Sequence, residues 1–311
     1  MKKIINRTFI SGLLYQHNLE LKTSGPNSAH PGTEYITGSI EVATDDAITN
    51  IVPVHFTYVT AVTSTGKESA TFKTLYQIVN NELKTVMRDG ADAAAKLRID
   101  SAIGLNEFYS DRSGKEELVS AKRNEGGFIH VVAALDKEEK DRSTFEVDMI
   151  ITGAIRKEAD EERNLPEKVI VKGAIFDFRK ALLPVEFSVT NENAMNYFEG
   201  LEPSSKNPTF TKVRGRQISE VTVKKIVEES AFGEAEVREV PSTRKDFVIT
   251  WAQSEPYAWD SEETILASEL VEAMTARETY LATIKQRQYE YKASKGQVSA
   301  PAASTSKEFN F

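Results

Sequence analysis

Apolar and polar positions alternate along most of this chain. Over residues 182–189, Leu183, Val185, Phe187 and Val189 alternate with Pro184, Glu186 and Ser188, the period of a strand with one buried face. Pro184 suits an edge or bulged position. Residues 168–178 form a β-rich run with Gly173 inside it, and residues 210–218 resume the alternation. There Phe210, Lys212, Arg214, Arg216 and Ile218 share one face, and Thr211, Val213, Gly215 and Gln217 the other. The N-terminal half reads the same way: residues 7–22 around Gly12, 34–44 around Gly38, and 50–58, where Val52, Val54, Phe56 and Tyr58 alternate with Pro53, His55 and Thr57. Residues 96–109 and 117–134 predict two more strands, joined by a DRSG turn at Asp111 to Gly114.

The period lengthens to three and four in three places. Residues 68–88 carry Phe72, Leu75, Tyr76, Val79, Leu83 and Val86 on one stripe, closed by Asp89 and Gly90, which predicts a helix with Tyr76 in the core. Residues 191–200 predict a helix with Asn191 as its N-cap. Residues 262–291 predict an amphipathic helix presenting Ile265, Leu266, Leu270, Met274, Leu281 and Ile284.

The order of elements recurs. YITGSIEVA at Tyr35 matches IVKGAIFDF at Ile170, and IVPVHFTYV at Ile51 matches LLPVEFSVT at Leu182; FISGLL around Gly12 matches IITGAI around Gly153, and GGFIHVV around Phe128 matches KDFVITW around Phe247. Each half reads strand, strand, strand, helix, strand, strand, the order of a five-stranded Greek-key barrel with a helix between its third and fourth strands. The expected fold is therefore mainly β with helices: two tandem OB-like barrels over residues 1–140 and 141–255, a C-terminal amphipathic helix over 256–292, and a disordered tail over 293–311.

Charge narrows the functional classes. A formal net charge of -8 argues against a polyanionic partner for the surface as a whole, yet five cations (Lys212, Arg214, Arg216, Lys224, Lys225) stand against one acid, Glu220, over residues 207–225. Three of them alternate on one strand, a costly arrangement without acidic cross-strand partners. Lys172 shares a strand face with Phe176 and Phe178, and Arg179 and Lys180 follow. Such cations suit phosphates and such rings suit base stacking, although two phenylalanines two apart are as readily core. The first half offers Lys96, Arg98, Arg112, Lys115, Lys122 and Arg123, with Tyr58, Phe108 and Tyr109, on a mixed-charge surface where scattered cations are common.

The chain has no cysteine, so disulfides and thiolate metal sites are excluded and a reducing cytoplasm is the expected setting. Asn6 and Arg7 interrupt the one leader-like run, and no stretch approaches the ~20 apolar residues of a membrane helix, so no membrane partner is expected. His17, His30, His55 and His130 lack metal-ligand spacing, and no phosphate-loop, dinucleotide or nucleophile-elbow motif occurs. Neither an enzyme nor a cofactor is expected.

The tandem pattern, the block from Lys168 to Ser219 and the terminal Glu308-Phe309-Asn310-Phe311 together resemble phage-type single-stranded DNA-binding proteins with OB folds. That resemblance implies binding of single-stranded DNA without strong sequence preference, protecting it in replication or recombination. The implied DNA-binding residues are Lys172, Phe176, Phe178, Arg179, Lys180, Phe210, Lys212, Arg214 and Arg216. It also implies a tail, with Glu308, Phe309 and Phe311, that docks replication or recombination proteins. A structural or assembly protein, using its β-domains and C-terminal helix for protein contacts, is the alternative; a polynucleotide-processing subunit is a third reading.

Overall fold

Strand β1 (Asn6–His17) makes three different pairings along its length, and these set the architecture. The computed structural model describes residues 4–63, 65–112, 116–159, 166–203, 208–228, 236–258 and 265–294, with the backbone alone over 221–228 and 236–243. In it the N-terminal half of β1 lies between β5 (Lys96–Ser110) and β7 (Ser143–Lys157), and its far end turns onto β3 (Glu34–Ala43). The remaining strands are β2 (Glu20–Thr23), β4 (Ile51–Thr60), β6 (Glu117–Val132), β8 (Lys168–Phe176), β9 (Leu182–Val189), β10 (Thr209–Glu228) and β11 (Glu236–Ala252). The protein is thus mainly β, an 11-stranded sheet with helices α1 (Ala70–Val79), α2 (Val86–Asp89), α3 (Glu192–Gly200) and the long C-terminal α4 (Ala267–Ser294).

Within the sheet the pairings return on themselves twice. One ring runs β1, β3, β4, β6, β5 and back to β1, with β4 and β6 parallel. The other runs β7, β8, β9, β11, β10 and back to β7, with β9 and β11 parallel. Alternation fills each ring: Ile10, Leu14, Ile40, Val54, Phe56, Leu97 and Ile99 point into the first, Val147, Val171, Phe187, Val213 and Ile249 into the second. Each such side chain contributes about 1.5–3 kcal/mol on burial.

The rings are fused by the antiparallel pairing of β1 with β7, from Asn6 opposite Val147 to Ile10 opposite Ser143. Asn6 locks the seam. Its amide donates to the carbonyls of Ile103 (2.9 Å) and Phe176 (3.0 Å), and its Oδ1 accepts the N–H of Ile103 (3.0 Å). Thr8 and Phe145 face each other across the seam, and both point inward, Thr8 beside Ser101 and Phe145 into the second core. One face of the shared sheet therefore supplies both cores, and its opposite face is continuous from ring to ring.

Helix α4 covers the outside. Ala273, with Ile265 just ahead of the helix, packs with Ile150, Ala174, Phe176, Leu182 and Phe210 of the second ring. Further along, Arg277 forms a bidentate ion pair with the buried Glu107 of β5, Lys285 meets Glu116 (2.6 Å), and Lys292 meets Asp111 (3.0 Å). No helix among the described residues is long and apolar enough to cross a membrane.

Two expectations need correction. The helix expected over 68–88 is two pieces, because the chain breaks at Asn80 and Asn81 (φ 60°) and restarts as one turn capped by Thr85 and Gly90. Tyr76 is exposed, stacked on Phe72 instead of buried. Gly12 and Gly153, aligned in the repeat, differ in role: a Cβ on Gly12 would fall 2.0 Å from the Ala43 carbonyl, whereas the nearest atom to one on Gly153 is 3.9 Å away.

Candidate nucleic-acid interface

Alternation on β10 turns Val213 inward and Lys212, Arg214 and Arg216 toward the outer face. Register then assembles a row across four strands: Trp251 on β11 lies opposite Arg214, Arg214 opposite Glu146 on β7, and Glu146 opposite Arg7 on β1. Glu146 is buried beneath the cations it holds. It accepts from Arg7 and from Arg214 (3.1 Å), and Lys212 stands 3.8 Å away. Burial alone would raise its carboxyl, but the hydrogen bonds from Arg7 and Arg214 prevail and keep it below the ordinary carboxylate value. The Arg214 guanidinium also lies over the Trp251 indole, 4.7 Å from the ring centre, leaving Trp251 44% exposed.

The neighbouring row joins Arg216, Thr144 on β7, Phe9 on β1, Asp100 on β5 and Phe128 on β6. Together the rows floor an open groove of about 980 Å³ that runs from Trp251 to Asp100 and so crosses the seam between the rings. The linker after β6 supplies Lys137 and Asp141 to its wall. Arg7, Lys137, Arg214 and Arg216 face Asp100, Asp141 and Glu146, so the groove is modestly cationic. Among the described residues no carboxylate stands within ion-pair distance of Lys137 or Arg216. A groove with pinned guanidiniums, two further cations and an open indole face can neutralise phosphates and stack a flat ring.

Of the residues singled out in the sequence, Arg214 and Arg216 line this groove, and Lys212 borders it opposite Asp148. The assumption that their strand lacked acidic partners is corrected, since Glu146 and Asp148 supply them. Phe176 and Phe210, 1% and 2% exposed, are core residues under α4 and offer no face to a base. Lys172 pairs across the strands with Glu186 (3.0 Å). Phe178 is 87% exposed with Arg179 over its ring, on a turn where Asp177 Oδ1 accepts the N–H groups of Arg179 and Ala181 (2.8 Å each) and Lys180 has φ 65°. That turn does not line the groove. Lys224 and Lys225 fall where only the backbone is described, and Lys115, Glu308, Phe309 and Phe311 lie outside the described residues.

In the first half, Arg98 stands beside Asp100 (3.7 Å), Arg123 pairs with Glu125, Lys96 donates to the Ala133 carbonyl (3.4 Å), and Arg112 and Phe108 lie near the tip of the β5–β6 hairpin. Tyr58 rests on Tyr35, and Tyr109 lies under Lys285. Lys122 is no groove residue. It reaches across the seam into the mouth of the second ring, over Phe187 (5.1 Å) and Phe247 (5.2 Å), and donates to the Glu186 carbonyl. Burial lowers its pKa to about 8 against the pull of Asp246 and Glu186. Arg7, Phe9, Glu146 and Trp251 were not singled out by sequence. Among the described residues no group of three or more His, Asp or Glu comes together as a metal site.

These features define a mainly β protein with a groove across two fused rings of strands. The chain belongs to the YorF family, whose model matches residues 4–287. Among solved structures it is similar to the wild-type single-stranded DNA-binding protein from Thermus aquaticus, at 9% identity and TM-score 0.45, covering 82% of this chain and 95% of that one. A deletion mutant of the same protein matches at 10% identity and TM-score 0.46, covering 85% of this chain and 100% of that one. No curated protein matches the chain.

Proposed function

We propose that this protein binds single-stranded DNA through the groove at Arg7, Arg214, Arg216 and Trp251, on a pair of OB-like barrels formed by the two strand rings. The observation that carries this reading is the row in which Glu146 fixes two guanidiniums beside an exposed indole. Arginines take phosphates, and the indole takes a base face without reading its edge, so binding is largely independent of sequence. Such an activity suits shielding of single strands in replication or recombination, in a phage or its host, with Glu308, Phe309 and Phe311 as a contact for partner proteins.

Tryptophan fluorescence tests the placement. Of the two tryptophans, Trp251 lies in the groove, so oligo-dT should quench part of the emission in wild type and lose that quench in Trp251→Phe. Unchanged quenching in the variant would move the site elsewhere. Binding of oligo-dT that persists undiminished in Arg214→Ala would do the same.

A further inference from the structure

We infer that the two rings form a single site, with the strand crossing the seam from Trp251 to a second stacking position at Phe128 on β6. This rests on the groove reading above and extends it into the first ring. Three observations carry it. The groove itself does not stop at the seam, since Phe9 of β1 and Asp100 of β5 line it along with Arg214 and Trp251. The row continues one strand further, where Phe128 stands directly opposite Asp100 and is 69% exposed.

The third observation is local geometry. Phe128 follows a glycine pair in a register shift between Asp100 and Ala102, with Gly126 at φ 63° and Gly127 at φ 112°. A Cβ on Gly127 would fall 2.2 Å from the Asp100 carbonyl, so only glycine lets β6 close on β5 there. The bulge brings Phe128 back into register on the outer face, while Ile129 beside it is buried in the first ring's core. An exposed aromatic so placed, at the end of a row of backbone-fixed positions, is a ready platform for a base. Of the carboxylates along the path, Glu146 is held by Arg7 and Arg214, and Asp100 is met by Arg98 at 3.7 Å.

Six strands at about 4.8 Å spacing give a path of about 24 Å from Trp251 to Phe128. At the roughly 3.4 Å rise of a stacked strand that is about seven nucleotides, and fewer if the strand is extended. Affinity should therefore climb with length until the strand reaches Phe128 and then level off. Two separate sites, one per ring, would give no such single plateau.

The test compares wild type, Phe128→Ala and Phe128→Trp by fluorescence anisotropy on oligo-dT of about four, eight and twelve nucleotides, with Arg214→Ala alongside. Phe128 is exposed, so its truncation does not threaten the core, and circular dichroism checks this. The inference predicts that Phe128→Ala weakens binding of the twelve-nucleotide strand by about tenfold, that Phe128→Trp restores it, and that the gain from four to eight nucleotides shrinks in Phe128→Ala. If Phe128→Ala binds every length as wild type does while Arg214→Ala is weakened, the ring-spanning path is wrong and the groove reading stands. If wild type binds none of the strands, the groove reading fails and this inference with it.

Discussion

Replacing Glu146 with glutamine should strengthen nucleic-acid binding. In the free protein Glu146 holds Arg7 and Arg214 with its buried carboxylate, so a phosphate entering the groove must compete with it for both guanidiniums. Glutamine keeps the shape and one acceptor oxygen but removes the charge. Each ion pair involves an arginine that is more than half exposed, and such pairs are worth about 0.2–1 kcal/mol. Removing two competitors should therefore raise affinity about two- to thirty-fold.

The salt dependence should change as well. With Glu146 competing for Arg7 and Arg214, the wild-type slope of log K against log salt should lie between about -1.4 and -2.8, and full release of both guanidiniums moves it to about -2.8. The fold loses a little in exchange. A carboxyl held below its ordinary value contributes stability that is complete above about pH 4.5 and is lost as pH falls through the folded value, so wild type and variant should converge on acidification. The assay is anisotropy of labelled oligo-dT over a salt series, with urea unfolding as the control. A folded Glu146→Gln protein that binds no more tightly than wild type would refute the competition argument.

Other perturbations follow from the same contacts. Arg277→Met leaves the Glu107 carboxylate buried without its partner and should cost about 3–5 kcal/mol in urea unfolding, most of which Glu107→Gln in the same chain should return. Asn6→Ala strands the carbonyls of Ile103 and Phe176 and the N–H of Ile103, and should cost about 2–3 kcal/mol by the same assay. Lys122 has a folded pKa of about 8, below its ordinary 10.5, so the unfolded chain keeps a proton between those values that the folded state sheds, and stability through this group rises with pH across that window. Lys122→Met should abolish the rise and exceed wild type in stability at pH 7 by about 1–2 kcal/mol, allowing for partial solvent contact.

What could be read from the sequence was what alternation encodes. The run at residues 182–189 became β9 with Leu183, Val185 and Phe187 inward, and Asn191 caps α3, accepting from the Ala194 N–H (3.2 Å). Facing alone could not say what covers a face. Phe210 is on the outer side of β10, as its spacing requires, yet α4 lies over it, and nothing local to residues 168–219 announces a helix some sixty positions later. The groove was hidden for the same reason. Arg7, Glu146 and Arg214 meet only through the pairing of β1 with β7 and of β7 with β10, which depends on long-range register. One buried pair did leave a trace: Arg277 interrupts the apolar stripe of α4 between Met274 and Leu281, and a cation in such a stripe implies a buried acid, here Glu107.

The central claim is tested most directly by equilibrium titration of wild-type protein with a labelled twelve-nucleotide oligo-dT and with a duplex of equal length, from low to moderate salt. The groove predicts selective binding of the single strand, with log K falling against log salt at a slope between about -1.4 and -2.8, as two to four phosphate contacts require. Equal affinity for the duplex, or no binding of the single strand at the lowest salt, would contradict it.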